Sequence, residues 1–476
     1  MQPNWIMQRS LLTPNRVGLS FQQKQWTFKE LYENSLKTAR QLASHSLFEG
    51  DRVAILAPST PQLIFMLYGC MQARIEIVLL NGRLSEQELR YQVDDAEVKA
   101  IIVHEKERRK LSDERIIFFE EIMNAPQQSI SISNEWDELS TVSIMYTSGT
   151  TGFPKGVRQT VQNHSASAVS SALNLGLSEE DSWLCCVPIF HISGFSILVR
   201  SLLYGMTVRL YENFDVEACT HEIVEGTVTK MSVVAVTLQR ILTEMEARNL
   251  KAHPRFSTML VGGGPVPVDY LKRAAKLSLN VAQTYGMTET SSQTATLSNE
   301  DALRKIGSAG KPLFFNRIKI DNGTSCHTEG EILIRGPHVT PGYIGRFRDK
   351  SSTVDGWLKT GDIGYIDEEG YLYVIDRRSD LIISGGENIY PAEIENVLMA
   401  HPSIKEAGVC GIEDESWGQV PAAFIVRKEA ITEPEIMSYC RNQLASYKLP
   451  KRIKFVDELP RNASNKLLRR KLKEMQ

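Results

Sequence analysis

The stretch YTSGTTGFPKG, residues 146–156, decides how the rest of the chain is read. Its eleven residues hold four Ser/Thr hydroxyls (Thr147, Ser148, Thr150, Thr151), three glycines (Gly149, Gly152, Gly156) and one lysine, Lys155. Backbone N–H groups, hydroxyls and one cation are what a loop needs to wrap a polyphosphate. It is not a Walker A loop, because Pro154 stands five residues after Gly149, where Gly-Lys-Ser/Thr would have to follow. The run VSIM (142–145) before it is mostly apolar and predicts a buried strand feeding the loop.

Working outward, strand and helix patterns alternate. A helix is expected over 26–43 with Thr27 as N-cap, a strand at 52–56, a helix at 61–73, a strand at 75–80, a helix at 85–93 and a strand at 100–103. The alternation recurs over 182–210, 229–247 and 258–264, which predicts a second α/β unit with parallel sheet. From Gly307 the texture changes to short strands and tight turns, as in EGEILIRG (329–336), predicting a β-rich lobe. After DRRSD (376–380) a loop leads to a helix starting near Pro391. Strands at 407–410 and 422–426, a helix at 433–444 and a strand at 453–455 follow. The expected class is therefore α/β: a large N-terminal domain, 1–378, of two α/β subdomains plus a β-rich lobe, and a small mobile α+β domain, 379–476.

The bulk properties narrow the function. A chain of 476 residues with 42% hydrophobic and 23% charged residues reads as a globular protein of two or three domains. A net charge of −3 gives no bulk attraction for nucleic acid or acidic membrane, and the basic tail around Lys466–Lys473 reads as a solvated helix. Seven scattered cysteines without C-x-x-C point to reduced thiols. The N-terminus lacks an apolar signal core, and no apolar window is long enough for insertion, so the expected place is the cytoplasm.

Further segments lie in a fixed order: PIFHISGFS (188–196), VGGGP (261–265), YGMTET (285–290), KTGD (359–362), SGGENIYPAEIE (384–395) and LPRNASNKLLRR (459–470). With the loop at 146–156, this set resembles the acyl-adenylate-forming superfamily of acyl-CoA synthetases and luciferases over nearly the whole chain. The resemblance implies a two-step ligase using ATP, Mg²⁺, CoA and a small carboxylic acid. Residues Thr147–Lys155 would hold the β- and γ-phosphates. Gly263 and Gly264 would run along adenine and the acyl pocket. Tyr285 would stack on adenine, with Gly286 and Met287 beside it; Thr288 would bond the α-phosphate and Glu289 would bind Mg²⁺. Asp362 would accept both ribose hydroxyls, with Arg377 as a second contact. His191 would gate the acyl pocket.

Lys466 would be the catalytic lysine; Asn465 precedes it where the superfamily usually has glycine. The hinge would lie at Ser379, a position the superfamily often fills with Asp or Lys. Gly385 and Gly386 would let the pantetheine arm of CoA pass, and Lys448, Lys451 and Arg452 are candidate contacts for its phosphates. The combination is most similar to the branch that serves menaquinone synthesis, whose acid carries two carboxylates. Such a pocket needs a second polar anchor: Arg200, Ser193 or the Ser291–Ser292 pair. A ligase for another aryl or medium-chain acid, or a stand-alone module that charges a carrier protein, stays open. So does the oligomeric state, with a homodimer or larger assembly compatible.

Overall fold

The computed structural model describes residues 1–147, 153–263, 266, 268–298, 300–321, 325–376, 381–460 and 469–475. Ser379, the expected hinge, lies outside them. The expected elements form: the Thr27 capping box starts helix Phe28–Ser44, Pro61 opens helix Pro61–Gln72, and the strands at Arg52–Leu56 and Ala100–Val103 have the predicted bounds.

The first sheet has six strands. Glu76–Leu79, Arg52–Leu56, Ala100–Val103 and Ile116–Phe118 run parallel to Thr141–Thr147, whose outer neighbour Lys155–Thr160 is antiparallel. The phosphate-loop candidate therefore joins two strands of a hairpin, with Thr147 paired to Lys155. The second sheet has nine strands; its centre, from Val281–Met287 through Thr258–Gly262, Lys230–Val234, Ser182–Cys185 and Thr207–Leu210 to Val17–Phe21, is parallel. One apolar cluster fuses the two sheets, with Leu42, Leu63, Leu67, Phe195 and Leu198 from the helices between them. The β-rich lobe is an antiparallel sheet built on Gly330–Arg335 and Trp357–Ile366.

The C-terminal module holds a second five-stranded sheet. Its central strands, Ile404–Asp414 and Gly418–Arg427, are longer than their sequence patterns indicated. Both faces are covered: Val409 and Ile425 meet the helices on one side, Cys410 and Phe424 meet Leu472 on the other. Two-sided burial removes the polar alternation that marks strand ends. The segment 381–390, read as a loop, is instead a hairpin of Ile382–Ser384 and Glu387–Ile389. Gly385 and Gly386 make its two-residue turn with φ of +56° and +87°, a primed turn that glycine supplies without strain.

Leu42 is fully buried in the cluster that joins the two sheets. Leu42→Ala should destabilise the N-terminal region by about 2–5 kcal/mol. Urea unfolding followed by tryptophan fluorescence should show an earlier first transition; an unmoved midpoint would contradict the assigned packing.

Candidate active site

The carboxyl ends of the parallel strands in both large sheets open onto one cavity of about 1140 Å³. Leu79 and Thr147 come from the first sheet, and Val234, Gly262, Gly263, Gly286 and Met287 from the second. The β-rich lobe adds Lys359–Ile363, and the C-terminal module closes the space with Gly386, Glu387, Asn388 and Tyr390. Open α/β sheets take ligands in the crevice beyond their strand ends.

At one end stand Lys155, Thr288 and Glu289. The Lys155 ammonium lies 5.2 Å from the Tyr343 ring centre and 5.6 Å from that of Phe347. Strand Val281–Met287 runs into the turn Thr288–Thr290 and doubles back as strand Ser292–Leu297. A Cβ on Gly286 would sit 1.8 Å from the Ser292 carbonyl oxygen, so only glycine allows the reversal. The turn is held through its carbonyls: Gln159 Nε2 donates to Thr288 (2.8 Å), the Thr340 amide to Glu289 (2.8 Å) and Ser167 Oγ to Ser291 (2.7 Å). Glu289 Oε1 accepts from the Tyr343 hydroxyl at 3.4 Å. Among the described residues no three His, Cys, Asp or Glu side chains gather as a metal cage. One carboxylate on the cavity wall fits Mg²⁺, a cation usually held by one or two carboxylates with its other ligands from phosphates and water. Ser148, Gly149, Thr150, Thr151 and Gly152 lie outside the described residues, as do Gly264, Arg377 and Lys466.

On a second wall Asp362 is 6% exposed and lines the cavity. Its Oδ2 accepts the Tyr285 hydroxyl at 2.7 Å. The Tyr285 ring itself packs with Ile332, Ile334 and Leu358 behind the wall, so it steadies Asp362 from beneath.

Arg200 lies on a further wall of the cavity. It is 1% exposed, lines the cavity, and donates from Nη2 to Gln293 Oε1 (3.1 Å) and Ser292 Oγ (3.3 Å). Its guanidinium lies 5.0 Å from the Trp183 ring, and its Nε has no hydrogen-bond partner. Among the described residues no carboxylate pairs with it. Burial lowers its pKa, but a guanidinium stays charged in proteins. Of the other anchors expected, Ser193 and Ser292 line the cavity, whereas Ser291 is buried with its hydroxyl unpartnered.

The closing wall carries a contact the sequence reading missed. His191, N-cap of helix Ile192–Tyr204, places Nε2 3.2 Å from Glu387 Oε2, while Arg83 Nη1 lies 2.7 Å from Glu387 Oε1. Glu387 sits inside the quoted segment SGGENIYP, but its partner Arg83 is 304 residues away and shares no pattern with it. Gly386 faces the cavity, and a Cβ there would come 3.1 Å from Val234; Gly385 lies under the Trp417 ring instead. Lys448 is not free for a CoA phosphate. It is buried, 2.5 Å from Glu88 and 2.7 Å from Glu393, whereas Lys451 and Arg452 are exposed.

Burial pushes the Glu387 carboxyl up, but the charges of His191 and Arg83 outweigh it and hold the group below the usual range. A depressed pKa adds stability above the unfolded value of about 4.3 and loses it as pH falls through the folded one. Glu387→Gln should therefore lower the Tm at pH 7, with the gap narrowing below about pH 4. A gap independent of pH would remove the ionic role.

The AMP-binding enzyme family matches residues 8–344, and the AMP-binding enzyme C-terminal domain matches residues 393–466. A 2-succinylbenzoate–CoA ligase of Bacillus pumilus is 48% identical over 478 residues, covering 99% of this chain and 98% of its own. A double mutant of o-succinylbenzoate CoA synthetase from Bacillus subtilis, bound with its product analogue OSB-NCoA, superposes with a TM-score of 0.94 at 45% identity, over 99% of this chain and 98% of that one. The same synthetase in complex with ATP and magnesium ion gives 0.76 at 45% identity, over 99% of both chains. The identity is the same in both, and the higher TM-score belongs to the product-analogue form. The chain belongs to the AMP-binding enzyme family, in the group that contains the 2-succinylbenzoate–CoA ligases.

Proposed function

We propose that this chain is an ATP-dependent ligase of the cytoplasm that adenylates 2-succinylbenzoate and passes the acyl group to CoA, a step of menaquinone synthesis. The observation that carries the choice of acid is Arg200, a buried guanidinium on the cavity wall with no carboxylate partner among the described residues. A buried charge without a counter-charge is costly. An acid with two carboxylates supplies one group for activation and one to neutralise Arg200, with Ser292 beside it.

In the first step an oxygen of the substrate carboxylate attacks the α-phosphorus of ATP, and the bond to the pyrophosphate oxygen breaks. Both reactants are anionic, so alignment and positive charge do most of the work. Lys155 and the loop from Thr147 hold the outer phosphates, Thr288 the α-phosphate, and Lys466 bridges it to the carboxylate. Asp362, with Arg377, takes the ribose hydroxyls, and Gly263, Gly264, Gly286 and Met287 flank the base. Glu289 would hold Mg²⁺, which would supply positive charge against the phosphates. In the second step the CoA thiolate adds to the acyl carbonyl and AMP leaves. The bare backbone at Gly386 keeps a passage for the pantetheine arm, while His191, drawn toward Glu387, stands aside from the acyl group. Residues 1–378 and 379–476 act as two bodies hinged at Ser379, so one module presents first Lys466 and then Gly386 to one cavity.

The test is CoA-thioester formation from ATP, Mg²⁺ and CoA with 2-succinylbenzoate, benzoate or octanoate. Strong selectivity for 2-succinylbenzoate is expected. Preference for another acid would discard the substrate, and adenylate without thioester for every acid would point to carrier charging. Arg200→Met should lower kcat/KM for 2-succinylbenzoate by about 10²-fold and leave monocarboxylates nearly unchanged; equal losses would make Arg200 structural. Lys466→Ala should abolish adenylate formation yet spare thioester formation from supplied acyl-adenylate, and equal loss of both would contradict the two-body scheme.

A further inference from the structure

Three charged groups that the proposed chemistry leaves unused meet at Lys448. Its side chain is 5% exposed, with Nζ 2.5 Å from Glu88 Oε1 and 2.7 Å from Glu393 Oε1. Lys448 and Glu393 belong to the C-terminal module, whereas Glu88 lies 360 residues earlier, on helix Glu86–Asp95 beside the first sheet. The seam around them is continuous. Ser85 Oγ lies 3.1 Å from the Gln443 carbonyl oxygen, and Ala445 joins the apolar cluster of Leu84 and Leu89, with Tyr447 packed against it.

Glu88 is set before the module arrives. Its Oε2 accepts the backbone amide and the hydroxyl of Ser85, both at 2.8 Å, in the capping box that starts its helix. Oε1 is left for Lys448. On the other side Lys448 is already paired within its own module by Glu393, whose Oε2 has no partner. Burial pushes the Glu393 carboxyl up, and Glu88 adds to that against the pull of Lys448. Against burial, Lys448 and Ser85 hold the Glu88 carboxyl below its ordinary value, so of the two carboxylates the one across the seam favours the charged form more.

Separating the two bodies would release Glu88 to water and leave Lys448 with Glu393 alone, and breaking a buried pair of this kind is costly. Such a contact favours discrete positions at an interface. The neighbouring contact of Glu387 with Arg83 and His191 is wetter, since those side chains are 53% and 43% exposed, and water screens it.

We propose that Lys448 is a positioning residue whose ammonium, seated on the preset Oε1 of Glu88, locks the C-terminal module where Gly386 and Glu387 face the cavity and so favours the thioester-forming step over adenylation. This rests on the ligase reading above. A contact made in only one arrangement shifts the balance between arrangements by its own free energy.

The test uses the full chain with Glu88→Gln. Glutamine still serves the helix cap, and the Lys448–Glu393 pair stays within its module. Two rates are read separately: pyrophosphate release with ATP and 2-succinylbenzoate, and thioester formation from supplied acyl-adenylate and CoA. Thioester formation should slow by about 10-fold or more while pyrophosphate release stays within about twofold. Lys448→Met should show the same split, and Lys448→Arg should restore most of the lost rate. Equal slowing of both steps, or of neither, would overturn the lock. Wild-type protein that forms no thioester with any acid would overturn the ligase reading beneath it; wild-type turnover with no split in Glu88→Gln overturns the lock alone.

Discussion

The reversal at Gly286 is the constraint on which the site depends. The chain must leave strand Val281–Met287, present Thr288 and Glu289 to the cavity, and return as strand Ser292–Leu297. The return places Ser291 and Ser292 at φ of +50° and +108°, conformations that non-glycine residues rarely adopt. Such a turn persists only when its surroundings over-determine it. They do so from three directions. Gln159 reaches it from the strand that follows the phosphate-loop candidate, Ser167 from helix Val161–Leu175, and Thr340 from the segment joining the β-rich lobe. Gln159 is oriented in turn by Ser143 at 2.7 Å, which lies 2.8 Å from the His164 ring. Burial pushes that histidine down to about 3, so it stays neutral under the reversal. The cavity walls at Thr288 and Glu289 and at Ser292 and Arg200 are thus spaced by one supported turn.

Charge then shapes what the cavity can accept. Asp362 is held by Tyr285 at 2.7 Å, and Glu387 by Arg83 at 2.7 Å and His191 at 3.2 Å. Arg200 has no carboxylate partner among the described residues; it meets the Gln293 amide oxygen and the hydroxyls of Ser292 and Tyr204. The asymmetry suits an anionic substrate, because a cation already desolvated by the protein costs little more to cover with a ligand carboxylate. The C-terminal module completes the enclosure, and its own buried charges sit on the seam.

Much of this was legible in the sequence, for identifiable reasons. Strands such as Arg52–Leu56, apolar runs flanked by turn residues, and helices such as Phe28–Ser44, with a capping box, carry local signals strong enough to place them within a residue or two. Glycine-rich segments marked the cavity walls because a reversal such as that at Gly286 tolerates no side chain. What could not be read depends on distant partners. Glu387 carries no local mark of its meeting with Arg83 and His191, and Lys448, expected as a contact for CoA phosphates, is enclosed by Glu88 and Glu393 instead. Tyr285 was expected on the cavity surface, but whether its ring faces in or out depends on the β-rich lobe that packs behind it. The hairpin at Gly385–Gly386 read as a loop because its strands are three residues each, too short for alternation to show.

The most direct measurement is a crystal structure of this chain with AMP and 2-succinylbenzoate. The account predicts one carboxylate beside the AMP phosphate and the other at Arg200 and Ser292, bonded directly or through one water. A second carboxylate lying toward His191 and Glu387, with Arg200 still facing only neutral protein groups, would contradict it.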